Sequence, residues 1–141
     1  KIIQFGRAGK PVVVGYISDQ TPFWWNIHHW IKFLNQETPV LTGAERIVKH
    51  TQQVFVYGDV TRTRRGHYNC EFHIIRKETK DLPEYEITDL YFQELEKSIR
   101  RQPEIYLWSH NRWKRTRARF NEYFEEVDGK VHLRKGKEMI Y

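Results

Sequence analysis

The sequence predicts an α/β fold, a mixed sheet flanked by helices, and three observations carry that expectation. Residues 11–17 (PVVVGYI) form a short continuous apolar run, the pattern of a strand covered on both faces. Residues 54–60 and 68–75 read as two further strands separated by a basic turn, Arg62 to Arg65 followed by Gly66. Ile87, Leu90, Tyr91, Leu95 and Ile99 recur at helical spacing, which predicts an amphipathic helix over 88–101.

In chain order, residues 1–6 read as a frayed helix end, with Gly6 and Gly9 as stop signals. Lys1 stands there without a preceding Met, which reads as part of a longer polypeptide. The strand over 11–17 places Asp19 just beyond its C-terminal end, where open α/β sheets hold their ligands. Residues 21–37 are irregular but too apolar for a solvated loop. Thr42 is positioned to cap a helix over 43–50, with Ile47 and Val48 facing inward. The strands over 54–60 and 68–75 make a hairpin. Pro103 can open a helix over 104–113, with Tyr106 and Trp108 in the core. From Arg115 onward charge dominates, and Asp128-Gly129 marks a small hairpin.

The composition fits a folded domain, with 39% hydrophobic and 30% charged residues in 141. A net charge of +6 points to an anionic partner: nucleic acid, a phosphorylated lipid or a membrane surface, which charge alone does not rank. Cys70 is the single cysteine, so no internal disulfide forms and a reducing compartment fits. No apolar run approaches the roughly 18–20 residues that span a bilayer.

Two stretches are more specific than composition. Residues 103–114 (PEIYLWSHNRWK) resemble the closing signature of the bacterial lipid A biosynthesis acyltransferases, the lauroyl and myristoyl transferases. Residues 14–22 (VGYISDQTP) are similar to that family's strand followed by Asp-Gln. Phe33, Thr38-Pro39 and Thr42-Gly43-Ala44-Glu45-Arg46 lie between them in the family's order. The resemblance covers about residues 11–114. It implies that residues 1–114 are the C-terminal portion of a larger acyltransferase fold, and residues 115–141 a charged appendage.

The resemblance further implies transfer of a fatty acyl group from an acyl carrier protein thioester to a hydroxyl of a phosphorylated glucosamine lipid. The expected setting is the cytoplasmic face of the bacterial inner membrane, and no metal or organic cofactor is implied. Such families use a His-x4-Asp/Glu pair as general base, placed upstream of the Asp-Gln strand. The chain alone is therefore expected to be inactive. His73 and Glu78 are a literal match to that pair. They follow the Asp-Gln block, however, and a five-residue offset along a strand turns the two side chains to opposite faces.

Each candidate has a plain alternative. Asp19 orders active-site loops or the acceptor sugar, or else forms a turn before Thr-Pro; Gln20 accompanies it. Thr42 and Gly43 offer helix N–H groups to a phosphate, or form an ordinary cap. Arg62, Arg64 and Arg65 grip acceptor phosphates, or sit in a solvated turn. His110 faces substrate or makes a buried hydrogen bond, and Arg112 shares its motif, in which Tyr and Trp suggest packing. Trp113-Lys114 suits a membrane interface, and the cations from Arg112 to Arg119 suit an anionic leaflet or a solvated helix end.

A basic nucleic-acid-binding domain is the rival from another class, and a non-catalytic lipid-binding module a third reading. Nucleic acid is not expected, because the aromatics concentrate in residues 21–33 rather than among the basic runs, and one Cys excludes the common zinc arrays. An isolated chain with an open sheet edge can pair with a second copy.

Overall fold

The computed structural model describes residues 4, 5, 8, 9 and 11–140. Of the predicted helix end, Gln4 and Phe5 are helical and Gly9 sits in a turn at positive φ, while residues 1–3 and Gly6 lie outside the described residues.

The α/β class holds, with helices and strands alternating along the chain. The strands are distributed, however, over three separate two-stranded antiparallel hairpins rather than one mixed sheet. The first pairs β1 (His29–Phe33) with β2 (Gln36–Val40). The second pairs β3 (Phe55–Arg64) with β4 (His67–Arg76), and the third β5 (Phe124–Val127) with β6 (Lys130–Leu133). Besides the helical Gln4 and Phe5, the described elements include three α-helices, α1 (Gly43–Thr51), α2 (Glu86–Arg101) and α3 (Arg117–Tyr123), and two 3-10 turns, Trp24–Asn26 and Pro103–Ile105.

Residues 11–17 join none of these hairpins, which corrects the expected buried strand. Val13 is fully exposed and Ile17 is 77% exposed. A β-rich run becomes a strand only when a neighbour completes its backbone ladder, and no described strand does so here. The β3–β4 hairpin is found where expected but extends further, to the turn at Arg65-Gly66. Gly66 takes φ +76 there, a conformation that suits a residue without Cβ. Val56, Val60, Tyr68, Phe72 and Ile74 are exposed, so this hairpin buries one face only.

The hairpin β1–β2 went unforeseen. Its two-residue turn, Leu34-Asn35, takes positive φ at both positions (48° and 65°), as a type I′ turn requires. Leu is a poor candidate for that conformation. The turn is held from outside, by the Leu34 N–H donating to Glu96 Oε2 of α2 at 3.1 Å. Phe33 and Val40 of this hairpin pack with Phe92 and Ile99 of α2 into one core.

Helix α1 starts at Gly43 as predicted, but the Thr42 side chain makes no cap hydrogen bond. Val48 is buried whereas Ile47 is 38% exposed, which corrects the inward placement of Ile47; Glu45 takes the inner position instead. The helix expected over 104–113 is absent. A single 3-10 turn, Pro103–Ile105, is followed by tight turns such as His110 N–H to Leu107 O at 3.0 Å. Ser109, His110 and Asn111 bring side chains that compete with helical backbone bonding. Trp108 is 51% exposed rather than in the core, its indole donating to Pro103 O at 2.7 Å.

Beyond Arg115 the chain folds back. Phe120 and Phe124 join Trp24 and Ile27 in a second core, with Phe124 stacked on Trp24 at 5.4 Å. The small hairpin forms at Asp128-Gly129, both at positive φ.

Candidate functional site

Residues 12–19, α1, β3 and α2 line an open, largely apolar cavity of about 1090 Å³. Apolar atoms dominate its wall because α2 turns the Ile87, Tyr91, Leu95 stripe toward it, β3 adds Val56 and Val60, and Val54 precedes them. Such a space accepts a long apolar ligand without leaving polar groups unpaired.

Its polar members are few. Asp19 lines the cavity and is half-buried. Burial and then the Asp19 carboxylate push the Tyr91 hydroxyl well above the phenol range. Tyr106 is also raised, chiefly by burial, with Arg112 opposing and Asp19 adding to the shift. Arg112 is 1% exposed. Burial lowers its guanidinium pKa, while Tyr106, Asp19 and Tyr91 oppose that change. These four side chains thus lie within electrostatic reach of one another.

A hydrogen-bonded junction fixes Arg112, the buried member of this group. The Thr21 hydroxyl donates to the backbone carbonyl of Arg112 at 2.9 Å. With its proton committed, the same oxygen is placed to accept from His110 Nε2 and Arg112 Nη1, each at 3.4 Å. Arg112 Nη2 donates to Pro39 O at 2.7 Å, and Trp113 Nε1 donates to Thr38 Oγ1 at 2.9 Å. The block ending at Thr21-Pro22, the Thr38-Pro39 pair and the His110-x-Arg112 segment therefore meet, although about ninety residues separate the first from the last.

The other candidates fall elsewhere. Gln20 is exposed beside Asp19. Leu41, Ala44 and Glu45 line the cavity, whereas Thr42 and Gly43 open α1 outside its wall. Arg62 lies on β3 with Nη2 3.6 Å from Glu104, and Arg64 and Arg65 are exposed at the hairpin tip. His73 lies 4.0 Å from Glu71, on its own strand, while Glu78 lies beyond the end of β4.

Sequence reasoning passed over Thr21 and Glu45. Glu45 is 4% exposed and its Oε2 accepts both the Thr88 N–H, at 3.0 Å, and the Thr88 hydroxyl, at 2.7 Å. It thereby satisfies the first turn of α2, where a carboxylate is also favoured by the helix dipole. The only signal for either residue was membership of a family-like block. Beside the cavity, Ser98 donates to Asp59 at 2.8 Å and accepts from Tyr57 at 3.0 Å, and Arg101 pairs with the same carboxylate at 2.8 and 2.9 Å.

No histidine lines the cavity, and among the described residues no group of His, Cys, Asp and Glu is arranged to hold a metal ion. No described helix is long and apolar enough to cross a membrane.

Asp19 thus lines a largely apolar cavity, and the buried guanidinium of Arg112 lies within electrostatic reach of it. Residues 1–115 match the family model described as bacterial lipid A biosynthesis acyltransferase. The chain belongs to that family. No curated protein and no solved structure matches it.

Proposed function

We propose that the cavity is the acyl-chain side of a transfer site, in which a fatty acyl group passes from an acyl carrier protein thioester to a hydroxyl of a phosphorylated glucosamine lipid. The supporting observation is the Thr21 junction, which brings the Asp19 block and the His110-x-Arg112 segment together beside an apolar space. The reaction runs at the cytoplasmic face of the bacterial inner membrane, with an anionic leaflet as the second partner.

In the transfer the acceptor oxygen attacks the thioester carbonyl and loses its proton to a general base. The C–S bond then breaks, and the departing thiolate takes up a proton. Asp19 orders the acceptor and its neighbouring loops. Arg112 holds the residues around Asp19 in place through Thr21. The general base, as the family resemblance implies, lies on polypeptide upstream of these 141 residues, and the chain by itself does not catalyse transfer. Arg62, Arg64 and Arg65 hold acceptor phosphates reached along the β3–β4 hairpin.

The test has two parts. Lauroyl or myristoyl chains should displace a fluorescent fatty acid from the chain, and failure to bind any acyl chain overturns the cavity assignment. In a preparation that also contains the base-bearing polypeptide, Asp19→Ala should lower acyl transfer by about a hundredfold with little change in KM. Undiminished transfer removes Asp19 from the site.

A further inference from the structure

Phe23 and Trp25 form an aromatic pair that neither core uses. They are 57% and 44% exposed, and their rings stack in parallel at 5.3 Å, while Trp24 between them is buried. Arg115 lies against this turn. Its guanidinium carbon sits 5.5 Å from the Phe23 ring centre and 5.4 Å from that of Trp24.

Arg115 is only 8% exposed, and its Nε has no hydrogen-bond partner. No carboxylate pairs with it among the described residues. Burial lowers its pKa with no opposing contribution. Exposed Lys114, Arg117 and Arg119 surround it in sequence, and the Arg117 guanidinium stacks on Trp30 at 5.0 Å.

Exposed stacked rings and a buried, unpaired cation are each unfavourable in water. Both become favourable against one kind of surface. Aromatic rings are stabilised at the headgroup level of a bilayer, and cations there gain from lipid phosphates. Charge complementarity selects an anionic bilayer over an apolar protein face, which would offer Arg115 no anion beyond its contacts with the Phe23 and Trp24 rings.

We propose that the Phe23–Trp25 turn and Arg115 form a docking surface for an anionic phospholipid bilayer. The aromatic pair enters the headgroup region, and Arg115 with Lys114 meets lipid phosphate. This deepens the membrane setting of the proposed function by naming the face that reaches it. It rests on that reading for its biological purpose, but its test needs no acyl transfer.

The experiment is co-sedimentation of the 141-residue chain with vesicles of phosphatidylglycerol and phosphatidylcholine, against vesicles of phosphatidylcholine alone. The chain should bind the anionic vesicles, and Phe23→Ser with Trp25→Ser should weaken that binding by about tenfold or more while leaving the circular dichroism spectrum unchanged. Arg115→Met should weaken binding and Arg115→Lys should keep it. Should Arg115→Met fail to fold, the exposed aromatic pair decides the matter alone.

Wild-type binding by the Phe23/Trp25 double variant overturns the proposal. So does loss of binding only in Arg64→Glu/Arg65→Glu, which would place the contact at the hairpin tip. Displacement by millimolar inorganic phosphate also overturns it, in favour of a soluble phosphate site. Vesicle binding without fatty-acid binding would sink the acyl-transfer reading and leave this surface standing.

Discussion

The Thr21 side chain and the Arg112 backbone are joined by a 2.9 Å hydrogen bond that spans the two stretches most similar to the acyltransferase family. Arg112 is almost wholly buried, with the Phe92 ring 5.7 Å away. A guanidinium in that position needs fixed acceptors, and Thr21 and Pro39 are the ones present.

Thr21→Val keeps the volume and removes the hydroxyl. It leaves the Arg112 carbonyl without its donor and two nitrogens without an acceptor, and should cost about 1–3 kcal/mol. Urea denaturation of the variant measures this; a change within error would show the junction to be dispensable for stability.

Glu45→Ala should destabilise more than Glu45→Gln. The alanine strands both the Thr88 N–H and its hydroxyl at the buried start of α2, whereas glutamine retains one acceptor oxygen. The expected loss for alanine is about 1–3 kcal/mol, read from thermal melts. Equal melting of the two variants would contradict this account.

Asp59 supplies a pH signature. Arg101 holds its carboxyl below the ordinary carboxylate value, with a hydrogen bond from Ser98 assisting and burial opposing. A depressed folded-state pKa contributes stability that is present above the unfolded value and is lost as pH falls through the folded one. The stability gap between wild type and Asp59→Asn should therefore be widest near neutrality and shrink below about pH 4. A gap that stays constant across a pH series of denaturation curves would remove the Asp59–Arg101 pair as its cause.

Phe124→Ala should cost about 3–5 kcal/mol, because the ring is 2% exposed and stacks on both Trp24 and Phe120. Truncation after Lys114 should go further and expose Trp24 and Ile27, shifting tryptophan emission to longer wavelength. Unchanged emission and melting after truncation would show that residues 115–141 contribute nothing to that core.

Much of the local structure was legible from residue pattern. The period of Ile87, Leu90, Tyr91, Leu95 and Ile99 located α2, and Gly66 and Asp128-Gly129 located two hairpin turns, because helical periodicity and glycine chemistry are local properties. The β1–β2 hairpin was not legible. Leu34 gives no turn signal, and its positive φ is maintained by Glu96, sixty-two residues away. The candidate site divides in the same manner: Asp19, His110 and Arg112 could be selected from their motifs, but Glu45 acquires its role only where α1 meets the start of α2.

By itself the sequence determined the family resemblance, the α/β content and the chemical types available, since each follows from residue identity at short spacing. Tertiary structure alone decided that Thr21 would bridge His110 and Arg112, that residues 11–17 would lack a strand partner among the described residues, and that Arg115 would lie against the Phe23 and Trp24 rings. Those outcomes depend on which distant groups satisfy one another's hydrogen bonds and exclude water, and no local pattern encodes that pairing.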